Sequence, residues 1–173
     1  MTRQIGASTR ASLPARLLRQ GARAFGDNRD DPYLAPGKYR EPTRCRVCGS
    51  VYRNGRWGSP SETGADATCA TCPACRRVED RLPAGRLTLA GEYVEAHRDQ
   101  LLRIVHNVAS RESSQHPLNR IMSIDVLDDR IEMCTTDVHP PRRIGRALKR
   151  AHDGELSVAF AKGACEIRVG WRH

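Results

Sequence analysis

The chain has 173 residues, which is enough for one ordinary domain or two small ones. Hydrophobic residues make up 39% and aromatic residues 5%, so one large core is not expected and small units would need additional stabilisation. The formal net charge of +9 favours a polyanionic partner, and the lack of a long apolar stretch argues against membrane association.

Residues 1–39 form a basic segment that we expect to be a disordered lead-in. Five arginines and no acid occur before residue 26, a composition typical of mitochondrial transit peptides and of basic tails. Leu13, Leu17 and Leu18 are too few apolar residues for a good amphipathic helix, which favours the basic tail. Such a tail can bind phosphates without sequence preference.

Residues 40–90 contain closely spaced cysteines and are predicted to form a zinc ribbon. Five of the seven cysteines fall between Cys45 and Cys75, in "CRVC" and "CATCPAC". This clustering favours metal binding in a reducing cytoplasm over a secreted disulfide framework. Between the two clusters, "SVYR" and "RW" flank Asn54 and Gly55, which predicts a hairpin with a two-residue turn.

Four cysteine thiolates are the predicted ligands of one structural Zn²⁺ ion. A closed tetrahedral shell of sulfur is typical of structural sites, whereas a catalytic zinc ion needs an open position. The second pair is ambiguous, because "CATCPAC" allows Cys69 with Cys72 or Cys72 with Cys75. Inside a Cys72–Cys75 turn, Pro73 occupies a position where no N–H is needed. Directly after a Cys69–Cys72 turn, where a positive φ is often required, proline would fix φ at a negative value. The preferred ligands, with Cys69 as the alternative, are Cys45, Cys48, Cys72 and Cys75.

Residues 91–117 predict a single linking helix, which Pro117 ends. His97 falls on the apolar stripe of this helix and is expected to be a packed, hydrogen-bonded side chain rather than a metal ligand. The stripe recurs at helical spacing and comprises Val94, His97, Leu101, Ile104, Val105 and Val108.

Residues 118–173 predict a small ββαββ unit. The segments "IMSIDVL", "RIEMCTT", "ELSVAF" and "EIRVGW" alternate as half-buried strands do, and a helix with Pro140 and Pro141 in its first turn separates the second from the third. Cys134 and Cys165 are interpreted as small strand or loop residues. The expected fold class of the whole chain is α+β, a four-cysteine zinc ribbon followed by a helix and a small ββαββ sandwich domain.

The segment "PRRIGRALKRAH" predicts an amphipathic helix with a basic face. Ile144 and Leu148 share its apolar face, and no acid occurs opposite. An exposed face normally mixes charges to gain ion pairs, so this pattern indicates an anionic ligand, with a merely solvated surface as the alternative. The helix N-terminus would add to phosphate binding. The proposed nucleic-acid-binding residues are Arg142, Arg143, Arg146, Lys149 and Arg150, with Arg76 and Arg77 as a lesser basic spot.

Catalytic motifs are not found in the sequence. No phosphate-binding "GxxxxGK[ST]" segment occurs, and no histidine pair has HExxH spacing. No set of nucleophile, base and orienting residue can be read from the spacing. We therefore expect a protein that is not an enzyme.

Several longer motifs resemble a family of small, largely uncharacterised bacterial zinc-ribbon proteins. These motifs are "DPY", "GKYREPTRCRVCGSVYRNGRW", "CPACRRVEDRLPAGRLTLAG", "HPLNRIM" and "TTDVHPPRRIGRALKRAHDGEL". More distantly, the chain is similar to the N-terminal half of the archaeal and eukaryotic adaptor that binds the large ribosomal subunit for maturation and export. That adaptor carries two zinc sites, whereas this chain can form one. The resemblance implies binding to ribosomal RNA or a ribosomal subunit.

The sequence thus favours a non-catalytic, cytoplasmic zinc-ribbon adaptor that binds structured RNA or a ribosomal subunit. The first alternative is a protein–protein interaction module in which zinc only stabilises a docking surface. The second is a metal- or nucleotide-dependent hydrolase. Charge and zinc together favour the RNA-binding hypothesis.

Overall fold

The computed structural model describes residues 31–33, 38–60, 66–160 and 166–173. Most of the predicted lead-in, and Cys165, lie outside the described residues. Within the described residues, nine strands form two sheets and four helices accompany them. The prediction of a mixed helix-and-sheet protein with two small sheets is confirmed. In the described part of the chain, no helix is both long and apolar enough to cross a membrane.

The smaller sheet contains the cysteine module. Its four strands are β1 (Thr43–Cys45), β2 (Ser50–Arg53), β3 (Arg56–Pro60) and β4 (Thr68–Ala70), in the order β3-β2-β1-β4. β2 and β3 are the predicted hairpin, and Asn54 and Gly55 form its turn with φ of 54° and 75°. Positive φ at both turn positions gives the twist that a two-residue hairpin needs.

A helix that the sequence analysis did not predict follows this sheet. Helix α1 (Pro73–Asp80) begins with Cys72 as its N-cap, and Pro73 occupies the first turn, where the missing N–H is harmless. The helix ends at Arg81, whose φ is 55°. The "CPAC" segment is therefore a helix start rather than an isolated turn.

The larger sheet includes a strand that the sequence analysis assigned to the zinc ribbon. Strand β5 (Gly85–Ala90) lies inside the predicted 40–90 module, yet it is the central strand of the second sheet. Its Leu87 and Leu89 are buried and alternate with the outward-facing Arg86, so it needs a sheet with one covered face. The second sheet consequently begins well before residue 118.

The other strands of this sheet lie on either side of β5. They are β6 (Ile121–Val126), β7 (Arg130–Thr135), β8 (Glu155–Phe160) and β9 (Ile167–Arg172), in the order β6-β7-β5-β9-β8. β5 is antiparallel to β7 and parallel to β9.

Two helices replace the single helix predicted for residues 91–117. Helix α2 (Glu92–Ala96) and helix α3 (Arg98–Gln115) are separated at His97, whose φ and ψ are −121° and 22°, so the prediction of one helix is wrong. The imidazole of His97 stacks on the ring of Tyr93 at 3.8 Å, and its Nδ1 lies 3.1 Å from the Tyr93 carbonyl oxygen. The backbone N–H of His97 still donates to the Tyr93 carbonyl at 3.0 Å, so the interruption is confined to the backbone angles of His97.

Helix α4 (His139–His152) packs against α3, and both contribute apolar side chains to the core of the larger sheet. Gly145 allows the close approach of α4, because a Cβ there would lie 2.7 Å from Leu156 Cδ1. Trp171 is 1% exposed, and its Nε1 donates to the Asp153 carbonyl at 2.8 Å. The buried core comprises Leu87, Leu89, Val94, Leu101, Val105, Ala109, Ile131, Met133, Ile144, Leu148, Ile167, Val169 and Trp171.

Candidate metal centre and basic surface

The four preferred cysteines converge on one point. Their Sγ atoms all lie within 4.8 Å of one another; those of Cys45 and Cys75 are 3.9 Å apart, and those of Cys48 and Cys72 are 3.7 Å apart. Three of the four side chains are buried and Cys48 is half-buried. The four residues therefore form one closed site that is compatible with a structural metal ion.

Local backbone geometry explains how the cysteines meet. Cys45 ends β1, and the chain turns back at Gly49, which has φ of 75° and donates its N–H to the Cys45 carbonyl at 3.0 Å. Cys72 is the N-cap of α1, and Cys75 follows in the first turn. The N–H groups of these two residues point to sulfur, from Cys72 to Cys45 Sγ at 3.3 Å and from Cys75 to Cys72 Sγ at 3.5 Å. N–H donors of this kind stabilise thiolate ligands.

The spacing of the sulfurs fits a tetrahedral metal ion. A metal–sulfur bond of about 2.3 Å places the sulfurs of a tetrahedron about 3.8 Å apart. Two of the Sγ–Sγ distances, 3.7 and 3.9 Å, bracket that value. All four donors are sulfur, and each position of a four-coordinate shell would be filled, so the site suits structural rather than catalytic coordination.

The electrostatics divide the cysteines into two pairs. Burial alone would raise the pKa of Cys48, but the neighbouring Ser50 hydroxyl and backbone N–H lower it to about 6. The pKa of Cys45 is also lowered, because backbone N–H groups outweigh its burial. Burial raises the pKa of Cys72 and of Cys75. A cation among the sulfurs would favour the thiolate form of all four.

Arg120 is a basic partner of this site that the sequence analysis missed. Its Nη2 lies 3.3 Å from Cys75 Sγ and 3.8 Å from Cys72 Sγ. Its backbone is held by Thr136, whose Oγ1 accepts the Arg120 N–H at 2.8 Å. Four thiolates around a divalent ion carry a net charge of −2, so a guanidinium at this distance is stabilising. No sequence pattern marks this arginine.

The residues beside Arg120 connect the metal centre to the helix layer. Leu118 packs against the cysteine cluster, and Asn119 donates its side-chain N–H to Glu112 Oε1 at 2.8 Å. The other Glu112 oxygen lies 2.9 Å from Arg143 Nε on α4. The Glu112 side chain is 2% exposed. The cysteine site and the basic helix are thus joined through one short segment of chain.

Cys69 and Cys134 lie apart from the site. Cys69 is exposed on β4, although it is only three residues from Cys72. Cys134 is half-buried in β7, with its Sγ 3.4 Å from Arg86 Nη1. The choice of Cys72 and Cys75 as the second pair agrees with the geometry of the four-sulfur cluster.

The five predicted basic residues of α4 have two kinds of environment. Arg143 is bound to the buried Glu112 and is 53% exposed. Arg142 is half-buried; burial and the charge of Arg146 lower its pKa. Arg146, Lys149 and Arg150 are exposed, and no acid within the described ranges forms an ion pair with them.

The beginning of α4 offers few phosphate donors. Pro140 and Pro141 have no N–H, and the His139 N–H is used by Asp137 Oδ1 at 2.9 Å. The expectation that the helix N-terminus adds to phosphate binding is therefore not supported by its geometry. The positive charge of this surface comes from side chains.

Arg76 and Arg77 do not form a surface basic spot. Arg77 is 5% exposed, its Nη2 lies 2.6 Å from Asp31 Oδ1, and its guanidinium stacks on the Tyr33 ring at 4.4 Å. Arg76 donates to the Tyr33 carbonyl at 2.8 Å and to the Tyr39 hydroxyl at 3.3 Å. Both guanidinium groups tie the segment before the ribbon to α1, so these two residues serve the fold.

Helix α3 adds basic residues that the sequence analysis did not select. Arg103 and Arg111 are exposed on α3, which lies beside α4. The only acid between residues 100 and 152 on these two helices is the buried Glu112. The outer surface of the α3–α4 layer, called the helix-layer surface below, comprises Arg103, Arg111, Arg142, Arg143, Arg146, Lys149 and Arg150.

Comparison of the chain with protein-family models, with curated proteins and with solved structures finds no match. The likeness to bacterial zinc-ribbon proteins and to the ribosomal adaptor therefore stays a prediction from the sequence motifs. The fold, the four-cysteine site and the helix-layer surface are therefore interpreted from their own geometry.

Proposed function

We propose that the chain is a zinc-ribbon adaptor in the cytoplasm that binds structured RNA through its phosphates and has no catalytic role. A ribosomal subunit is the RNA assembly that the sequence resemblance favours. Zn²⁺ is the proposed metal, because a closed tetrahedral set of four sulfurs is typical of structural zinc sites. Iron also accepts four thiolates, so metal analysis of the purified protein is the direct test.

The observation that carries this proposal is the charge of the helix-layer surface. Helix α4 carries no acid, and the only exposed acid of its neighbour α3 is Asp99 in the first turn, so arginine and lysine side chains dominate the outer surface of both helices. Like charges at helical neighbour positions destabilise a helix by a few tenths of a kcal/mol for each pair. A polyanion bound across both helices would remove this repulsion and release its own counterions.

The side chains of this surface favour a phosphate ligand over an apolar protein partner. The guanidinium group of arginine can donate two parallel hydrogen bonds to the oxygens of one phosphate. Five of the seven cations are exposed and take no part in the ion pairs of the described residues, and they are Arg103, Arg111, Arg146, Lys149 and Arg150. Large exposed apolar side chains of the described residues lie elsewhere, at Val47, Val78, Leu82, Val126 and Leu127. A protein-binding module remains an outcome that the experiment distinguishes.

The groove beside the α2–α3 break bears on the hydrolase alternative. It is lined by acidic and basic side chains of both helices, including Glu95, Arg98, Asp99 and Arg103, and by Asp128 from the β6–β7 turn. No serine, threonine or cysteine lines it, so a hydrolytic reaction there would have to use water activated by an acid–base pair. Turnover of nucleotides or RNA by the purified, metal-loaded protein tests this alternative.

Charge reversal on the helix layer tests this proposal. R146E/K149E is compared with R168E/R172E, which makes the same charge change on the opposite, open face of the larger sheet. Binding of a labelled, structured ribosomal RNA fragment is measured by fluorescence anisotropy. We expect R146E/K149E to weaken binding at least tenfold and R168E/R172E to change it less than about threefold.

Two results would contradict the proposal. One is equal affinity of wild type and R146E/K149E, and the other is no binding by the metal-loaded wild type. Sedimentation with purified ribosomal subunits, before and after nuclease treatment, separates the alternatives. Association that survives nuclease would identify a protein partner instead.

A further inference from the structure

The hairpin of the smaller sheet places a second group of arginines on one face. Arg53 and Arg56 are directly paired across the β2–β3 turn, and Arg44 is paired with Val51 in the neighbouring strand. Side chains of paired residues share a face, and residues two apart along a strand do as well. Arg44, Arg53 and Arg56 therefore point to the same side of the sheet, which we call the hairpin surface.

These three arginines are close to one another and exposed. Directly opposed Cβ atoms lie about 4.5–5.5 Å apart, and the diagonal neighbour about 7–8 Å away. All three side chains are exposed, and none forms an ion pair with another residue of the described ranges. Like charges directly opposite each other destabilise a sheet. Arg53 and Arg56, which are paired beside the turn, form such an unfavourable pair.

The acid nearest in sequence is used for another purpose. Glu41 accepts the N–H groups of Asn54 at 2.7 Å and of Gly55 at 2.8 Å, and these bonds, with smaller contributions from the charges of Lys38 and Arg53, lower its pKa. Its carboxylate thus holds the turn. Residues 38–60 contain six cations and this one acid, so the ribbon is strongly basic on its exposed side.

The opposite face of the same sheet is covered. The rings of Tyr52 and Trp57 pack against each other with centroids 5.6 Å apart, and Tyr39 contacts both. Tyr52 is 7% exposed, so the hairpin has one aromatic, packed face, and on the other face the exposed arginines surround Val51, which is 4% exposed. A sheet face that carries exposed arginines is suited to the backbone of a nucleic acid.

We propose that the hairpin surface is a second phosphate-binding surface for RNA, separate from the helix-layer surface. The inference rests on the proposed function, since it assigns an additional contact to the same ligand. A metal ion bound by the four cysteines would help to fix β1 beside this surface, because Cys45 directly follows Arg44 in that strand. Two linked contacts on one RNA raise the overall affinity beyond that of either alone.

Charge reversal of the hairpin pair tests the second surface. Metal-loaded R53E/R56E is compared with wild type, with R146E/K149E and with the control R168E/R172E on the same structured RNA. We expect R53E/R56E to weaken binding about tenfold and to reduce the slope of log K against log salt by about 2, since two phosphate contacts are lost. The control should stay within about threefold of wild type.

The outcomes separate this inference from the proposed function. Unchanged affinity and salt slope in R53E/R56E, with weakened R146E/K149E, would overturn the second surface alone. Weakening by R53E/R56E alone would support it and contradict the helix-layer surface. No binding by the wild type would overturn both. Metal content of one ion per chain shows that the ribbon remains folded, and R53Q/R56Q repeats the test with a neutral change.

Discussion

The two sheets of this protein are stabilised by different means. The buried cluster of the smaller sheet consists of Cys45, Cys72, Ala74 and Cys75, so three of its four members are candidate metal ligands. The larger sheet has thirteen buried apolar residues between its strands and its helices. Hydrophobic burial can stabilise the larger unit by itself, whereas the ribbon has too little apolar surface to do so. A metal ion at the four cysteines would supplement the small packed cluster of Tyr39, Tyr52 and Trp57.

The two regions also differ in how they present charge. The larger sheet has most of its exposed cations on the helix layer, while its open face carries ion pairs such as Arg86 with Glu166 at 2.6 Å. The ribbon presents cations on its exposed hairpin surface. A segment around Leu118 and Arg120 joins the two regions at the metal centre. Mutations on either side of this junction can therefore separate the contribution of the four-cysteine site to stability from that of the hydrophobic core of the larger sheet.

The largest expected effect follows removal of a metal ligand. Cys72→Ser should abolish stoichiometric metal binding and unfold the ribbon, since structural zinc supplies about 10–16 kcal/mol of apparent binding free energy. Hydrogen exchange should show protection lost in β1–β4 and retained in β5 and β7. Cys69→Ser is the matched control and should keep one metal ion per chain. Global unfolding of Cys72→Ser would show that the larger sheet also depends on the metal.

A smaller effect is expected from the core of the larger sheet. Leu148 is fully buried, so Leu148→Ala should lower the free energy of unfolding by about 2–5 kcal/mol without changing the metal content. Denaturant unfolding followed by far-UV circular dichroism measures it. Leu82 is 55% exposed, and Leu82→Ala should change stability by less than about 0.5 kcal/mol. Loss of metal in Leu148→Ala would contradict the division between the regions.

The smallest effect is expected at the junction. Arg120→Leu removes the guanidinium beside Cys75 and Cys72 and should weaken metal affinity about 10–100-fold, as loss of an outer-shell partner does. Competition with a chromophoric chelator measures this affinity. Arg111→Leu, on the exposed part of α3, is the control. Equal metal affinity of the two variants would mean that Arg120 does not support the thiolates.

Local signals in the sequence were sufficient for part of the fold. Turn chemistry predicted the Asn54–Gly55 hairpin, and cysteine spacing predicted the ligand set, because both depend on residues close in sequence. The same turn places Arg53 opposite Arg56, so the hairpin surface was readable from the sequence but was not recognised. Pro140 and Pro141 likewise marked the start of α4.

Long-range pairing was not readable in the same way. β5 alternates like any half-buried strand, and nothing in its own residues shows that β7 and β9 are its neighbours. The break at His97 lies within an apolar stripe of regular helical spacing, so the sequence pattern does not mark it. Arg77 was predicted to belong to a basic surface spot and Arg120 was not selected, because their partners, Asp31 and the cysteine sulfurs, are distant in sequence.

The central claim is that this protein binds RNA through phosphate contacts on exposed arginines and lysines. The most direct measurement is the salt dependence of binding between the metal-loaded wild type and a structured RNA. With at least four phosphates contacted, log K should fall against log salt with a slope of about −3 or steeper. A slope near zero, or binding that persists after nuclease digestion of the RNA, would contradict the claim.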